Sequence, residues 1–254
     1  MKKIYLLFCL FFWVNISVIG LTGDELFDLG TQARDANDHK KAFEYYKQAA
    51  ESGHVYAQTR IGYMYEAGIG CEADPKMAFY WYQKSAEQGD LGGICNLAQC
   101  YRRGDGCEKN FDKAFELHKR GAELGDPWCQ NLLGEMYTVG EGTPQDFDAA
   151  FYWYKKSAEQ GCQVGEYNLS RCYSRGRGCK VNHKKAFYWI KLVVESNQAD
   201  REMLGKAQYH LAVMYATGTG CSSNEDKAFD LFLKAAKNGN GNAVKVLKDV
   251  YNLF

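Results

Sequence analysis

The chain has no excess of charge of either sign. Lys and Arg total 31 and Asp and Glu total 31 over 254 residues, so there is no basic field to release counterions from a nucleic-acid backbone, and no acidic tail. Nucleic acid is therefore not an expected partner, and recognition should rest on surface shape. After Leu21 no second run is long and apolar enough to span a bilayer. There is no C-x-x-C pair, and the five histidines follow no ligand spacing, so neither a metal site nor a cofactor is expected. The Gly-x-Gly runs lack the preceding strand that a dinucleotide-binding fingerprint requires.

What is present begins with Lys2 and Lys3, an apolar run from Ile4 to Ile19, and Gly20. This order predicts a secretory signal peptide over residues 1–20; the alternative is an uncleaved anchor, because Ile4 to Leu21 approaches spanning length. Ten cysteines in an exported chain fit an oxidising compartment with disulfides. Cleavage removes Cys9 and leaves nine, an odd number. The expected location is secreted or periplasmic.

The strongest signal is a repeat. The run from Gly68-Ile69-Gly70-Cys71 to Ala78-Phe79 recurs at Gly104–Phe115, Gly140–Phe151, Gly176–Phe187 and Gly218–Phe229, in steps of 36 three times and then 42. A loop repeated this often is architecture before it is a phosphate site. Counted from Ala57, Gly93, Cys129, Gly165 and Ala207, position five is always Ile or Leu, position six is small and position nine is always Tyr. Those spacings place one apolar face on a helix. The glycines at positions twelve and fourteen are expected to stop that helix. Asp74, Asn110, Asp146, Asn182 and Asn224 then cap a second helix opened by Ala-Phe, as Asp38 does earlier.

The result is an all-α solenoid over residues 21–239. A shorter first unit covers 26–53, and full repeats cover 54–89, 90–125, 126–161, 162–203 and 204–239. Residues 240–254 should form a terminal capping helix. The longer step comes from about six extra residues within 197–205, predicting a longer loop or an added helical turn.

These units resemble Sel1-like repeats, relatives of tetratricopeptide repeats. The resemblance rests on Ala57…Ile61-Gly62…Tyr65…Gly68-Ile69-Gly70…Asp74…Ala78-Phe79…Trp81-Tyr82…Ser85-Ala86…Gly89 and four further copies. It implies a right-handed α/α superhelix whose concave surface, lined by the first helices, binds a protein or peptide as an adaptor rather than as an enzyme. An alternative comes from a cysteine-rich bacterial branch associated with β-lactam binding or hydrolysis and with cell-wall fragments, whose loops Thr143-Pro144-Gln145-Asp146 resembles. In that branch a cysteine late in the second helix pairs with one opening the next repeat. Here Cys129 has Ala122 at the partner place, a departure that counts against the activity.

If positions one, five, eight and nine face the core, positions three, four, seven and eleven form the opposite face. From it Tyr63, Gln99, Glu135, Tyr167, Asn168, Arg171, Tyr209 and His210 are expected to meet a partner. The plainer reading is a solvated helix face. Only the second and fourth full repeats carry cysteine both at position eight and after Gly-x-Gly, which predicts disulfides Cys100–Cys107 and Cys172–Cys179; alternatively Cys100 and Cys172 replace Met in the core. The remaining cysteines have no assigned partner, and a Cys95 nucleophile with a remote His118 is the residual catalytic alternative.

Overall fold

A computed structural model of the chain describes residues 20–196, 199–251 and 253. The expected signal peptide, apart from Gly20, lies outside the described residues, as do Asn197 and Gln198 of the insertion. The chain divides into two compact units, Met1–Asn110 and Phe111–Phe254. The first contains α1 (Gly23–Asp35), α2 (His39–Glu51), α3 (Val55–Ala67), α4 (Pro75–Glu87) and α5 (Leu91–Arg103). The second contains α6 (Phe111–Glu123), α7 (Pro127–Val139), α8 (Phe147–Glu159), α9 (Gln163–Arg175), α10 (His183–Ser196), α11 (Arg201–Thr217), α12 (Glu225–Lys237) and α13 (Gly241–Asp249). Among the described residues the regular structure is wholly helical.

The caps form as the pattern requires. Asp38 accepts from Lys41 N, Asp74 from Lys76 N and Met77 N, Asp146 from Asp148 N and Ala149 N, Asn182 from Lys185 N, and Asn224 from Lys227 N. Each satisfies an otherwise orphaned helix N–H, worth about 1 kcal/mol. The first helices α5, α7, α11 and α3 are capped too, by Asp90, Asp126, Asp200 and the Nδ1 of His54, whereas α9 opens at Cys162 without a side-chain cap. In the sequence the repeated elbow marks only the second-helix ends.

The two glycines of each elbow have different tasks. In the fourth full repeat Gly176 takes φ 68° and ends α9, while Gly178 takes φ 66°. A Cβ on Gly178 would overlap the carbonyl oxygen of Phe147, the first residue of α8 in the preceding repeat. The same overlap meets Gly70 at His39, Gly106 at Pro75, Gly142 at Phe111 and Gly220 at His183. The expectation that both glycines only stop the helix is therefore corrected: the second lets the elbow rest on the helix before it.

Around this contact the repeats register. The carbonyl of the position-nine tyrosine accepts the backbone N–H of the next cap, as in Asp74 N to Tyr65 O and Asn182 N to Tyr173 O, both 2.9 Å. Its ring meets the Ala-Phe phenylalanine of the preceding unit edge-on, in Phe43–Tyr65 at 5.2 Å, Phe115–Tyr137 at 5.3 Å and Phe151–Tyr173 at 5.4 Å. Such pairs add about 1 kcal/mol beyond their buried area. The extra residues of the last repeat lengthen α11 to 17 residues against 13 in α9, so the insertion adds a helical turn. At the C-terminus α13 buries Ala243 and Leu247.

A buried amide pair also recurs. Gln58 Nε2 donates to Ala50 O at 3.3 Å and its Oε1 accepts from Gln88 Nε2 at 2.8 Å; Gln130 does the same with Ala122 O at 3.1 Å and Gln160 at 2.8 Å. In α9 the equivalent residue is Glu166, only 8% exposed, and an ionised carboxylate cannot donate. Burial pushes its carboxyl above the usual range. A raised folded pKa contributes stability in acid that is lost as pH rises through it. Glu166→Gln should therefore stabilise the protein at neutral pH by about 1 kcal/mol, the worth of one net hydrogen bond. In urea denaturation the gain should shrink on acidification, and a gain independent of pH would contradict this assignment.

Candidate functional site

In the second unit, α7, α9 and α11 are the first helices of successive repeats, and their polar residues meet. Asn131 of α7 is fully buried. Its Nδ2 donates to Glu135 Oε1 at 3.2 Å, and its Oδ1 accepts from Asn168 Nδ2 of α9 at 2.9 Å. Arg171 donates from Nη1 to Asn168 Oδ1 at 3.4 Å, and its guanidinium lies 5.8 Å from the centre of the Tyr167 ring. Tyr167 in turn stacks on His210 of α11, with centroids 5.5 Å apart and planes 14° from parallel. Tyr209 lies 5.9 Å from His210 and 5.8 Å from Phe232.

Glu135, Tyr167, Asn168, Arg171, Tyr209 and His210 thus belong to one connected set spread over three helices. Tyr167 and Asn168 are themselves buried, 9% and 7% exposed, so they hold Arg171 and His210 in place rather than offer area of their own. Asn131 and Arg175 belong to the same helix face and join the set. Periodicity marks that face but does not show which side chain links two repeats.

The two expected residues of the first unit stand separately. Tyr63 of α3 is 48% exposed and borders a cleft of about 380 Å³ with Phe27, Tyr56 and Asn96. Gln99 of α5 is half-buried, and among the described residues its Oε1 has no hydrogen-bond partner.

The cysteines take states that their spacing did not reveal. Cys100, Cys107, Cys172 and Cys179, expected to pair across the elbows, stand as thiols. Burial pushes Cys100 up to about 12 and Cys172 up to about 11, which keeps them protonated and slow to exchange. At two equivalent elbows the thiol is engaged with the helix end, Cys71 Sγ with Met64 O and Cys221 Sγ with Met214 O, each at 3.6 Å. Cys95 and Cys129 are both disulfide-bonded. Cys95 accordingly has no thiol to serve as the nucleophile considered above.

His210 makes this site sensitive to acid. Its imidazole is held down to about 4, first by burial and then by Arg171 and Arg175. A depressed histidine pKa contributes stability above the unfolded value of about 6.5 that is lost as pH falls towards the folded one. Between about pH 7 and pH 4 this one group should cost the wild type about 3 kcal/mol. His210→Phe, which keeps the stack on Tyr167, should remove that loss from the pH dependence of unfolding; an identical pH profile for the two proteins would contradict it.

The Sel1 repeat family matches at residues 23–54, 55–90, 93–126, 129–162, 164–192 and 205–240. No curated protein matches the chain. Among solved structures, a Sel1 repeat protein from Oxalobacter formigenes is 30% identical, with a TM-score of 0.76 over 87% of this chain and 86% of that one. The protective antigen c5321 of uropathogenic Escherichia coli, which displays an SLR fold, is 26% identical with a TM-score of 0.73. That match covers 90% of this chain and 49% of the antigen, so the chain spans about half its length. A Sel1 repeat protein from Klebsiella pneumoniae, 21% identical with a TM-score of 0.55, shares the fold. With six matched repeats and helix pairs joined by Gly-x-Gly elbows, the chain belongs to the Sel1 repeat family and folds as an all-α Sel1-type solenoid.

Proposed function

We propose that this protein is a secreted or periplasmic, non-enzymatic scaffold that binds a protein or peptide partner on the exposed face of its first helices. Sel1 repeat proteins are generally protein-interaction scaffolds. The observation that carries the reading for this chain is the connected set on α7, α9 and α11, in which buried Asn131, Asn168 and Tyr167 hold Arg171 and His210 in fixed positions. A pre-ordered surface of aromatic, amide and guanidinium groups loses little entropy on binding, and such groups are enriched among residues that dominate interface energy. In the first unit Tyr63 offers an exposed aromatic ring on the same helix position as Arg171.

Export is supported by the basic and apolar N-terminal pattern and by disulfide-bonded Cys95 and Cys129. Among the described residues no helix is long and apolar enough to cross a membrane. The test is capture of envelope or culture-medium proteins on the immobilised chain, followed by affinity measurement with the recovered partner. Combined Tyr63→Ala and Glu135→Ala should weaken binding about tenfold or more, as loss of interface anchors does. Tyr152→Ala, an exposed tyrosine on the second helix α8, should leave it unchanged. Undiminished affinity in the folded double variant would overturn the reading.

A further inference from the structure

The cleft between α9 and α11 carries a charge imbalance that packing does not account for. Arg171 and Arg175, one turn apart on α9, line a cleft of about 260 Å³ whose opposite wall is formed by Tyr209, His210 and Thr217 of α11. No acidic side chain lines it. Among the described residues no carboxylate lies within ion-pairing distance of either arginine. The same unit pairs its exposed lysines one turn apart, Lys155 with Glu159, Lys191 with Glu195, Lys206 with Glu202 and Lys234 with Asp230. In a chain with equal numbers of acids and bases, two adjacent unmatched guanidiniums in a concavity concentrate positive potential where a ligand would enter.

Arg171 is also pre-aimed. It is held from below by Asn168 Oδ1 and by the Tyr167 ring, while Arg175 is exposed and unrestrained. His210 stays uncharged at neutral pH, so its ring can donate or accept a hydrogen bond without adding charge. Guanidinium groups bind planar oxyanions through paired, charge-assisted hydrogen bonds, and the Tyr209 hydroxyl can add a further donor; the Thr217 hydroxyl donates to Val213 O at 2.9 Å and only shapes the wall.

We propose that the α9–α11 cleft is a carboxylate subsite, which takes an acidic side chain or the free C-terminus of the partner peptide. This rests on the first-helix face being the partner surface and names the chemistry that surface selects. Arg171 and Arg175 supply the charge, and Tyr209 and His210 supply the directional contacts.

The test uses the full chain and fluorescence anisotropy with a labelled hexapeptide ending in Glu-Glu, its Gln-Gln counterpart, and C-terminally amidated forms of both. The Glu-Glu peptide with a free terminus should bind at least tenfold tighter than the amidated Gln-Gln form, and added salt should narrow the gap. Of the two intermediate peptides, the one that keeps the advantage tells side-chain from terminal recognition. Arg175→Gln should cut the advantage severalfold, and Arg171→Gln with Arg175→Gln should abolish it; circular dichroism confirms that each variant folds, and Arg175→Gln alone removes no buried contact. Lys155→Gln with Lys191→Gln should change nothing. Equal binding of the acidic and amide peptides, or an unaltered advantage in the arginine variants, would overturn the proposal. Displacement of the peptide by inorganic phosphate at equal concentration would assign the cleft to a small anion and overturn it as well. If no peptide discriminates while Tyr63→Ala with Glu135→Ala still weakens the captured partner, the scaffold reading stands and only the carboxylate subsite falls.

Discussion

Within each unit the stacking of repeats depends on a backbone contact that only glycine permits. The second glycine of an elbow lies against the carbonyl of the first residue in the preceding second helix, with no room for a Cβ between them. Backbone on backbone leaves little freedom of distance, so one repeat is set against the next before any side chain is chosen. The recurring dimensions follow from it. Phe–Tyr edges fall at 5.2 to 5.4 Å, and amide pairs 30 residues apart fall at 2.8 to 2.9 Å.

That spacing also brings the first helices of neighbouring repeats side by side. Asn131 and Asn168 lie 37 residues apart in sequence yet share a hydrogen bond, and Tyr167 stacks on His210 across the next interface. The candidate surface is therefore a consequence of repeat register. Its polar residues are held by a core of small and larger side chains, such as Gly134 beneath the Tyr154 ring; the ring position is Tyr82, His118, Tyr154, Ile190 or Phe232 in successive repeats, all buried.

Most of the fold was legible because its determinants are local and repeated. Helix ends were marked by glycine and by Asp or Asn, and the core face by Ile or Leu and Tyr at fixed positions. Features that arise between repeats were not legible. The role of the second glycine, the place of Asn131 at the centre of the polar set, and the burial of Tyr167 and Asn168 all depend on a neighbouring helix that a single repeat does not contain. The cysteines illustrate the same limit. The repeat spacing predicts disulfides Cys100–Cys107 and Cys172–Cys179, whereas these four cysteines stand as thiols; whether a thiol pairs or engages a helix-end carbonyl, as Cys71 does with Met64, is decided by geometry. Glu166 carries no mark in the sequence, because nothing about one glutamate shows that its equivalents, Gln58 and Gln130, are buried donors.

The central claim is that the second elbow glycine is required by contact with the preceding repeat and not only by its backbone angle. Gly161 and Gly178 separate the two effects: their φ values are 78° and 66°, but a Cβ at Gly161 would meet nothing within 4 Å, whereas one at Gly178 would overlap the Phe147 carbonyl. Both alanine variants bear the left-handed backbone cost of about 1–2 kcal/mol. Chemical denaturation should show Gly178→Ala losing about 2 kcal/mol more than Gly161→Ala, the scale of an overpacked contact. Equal losses for the two variants would contradict the account.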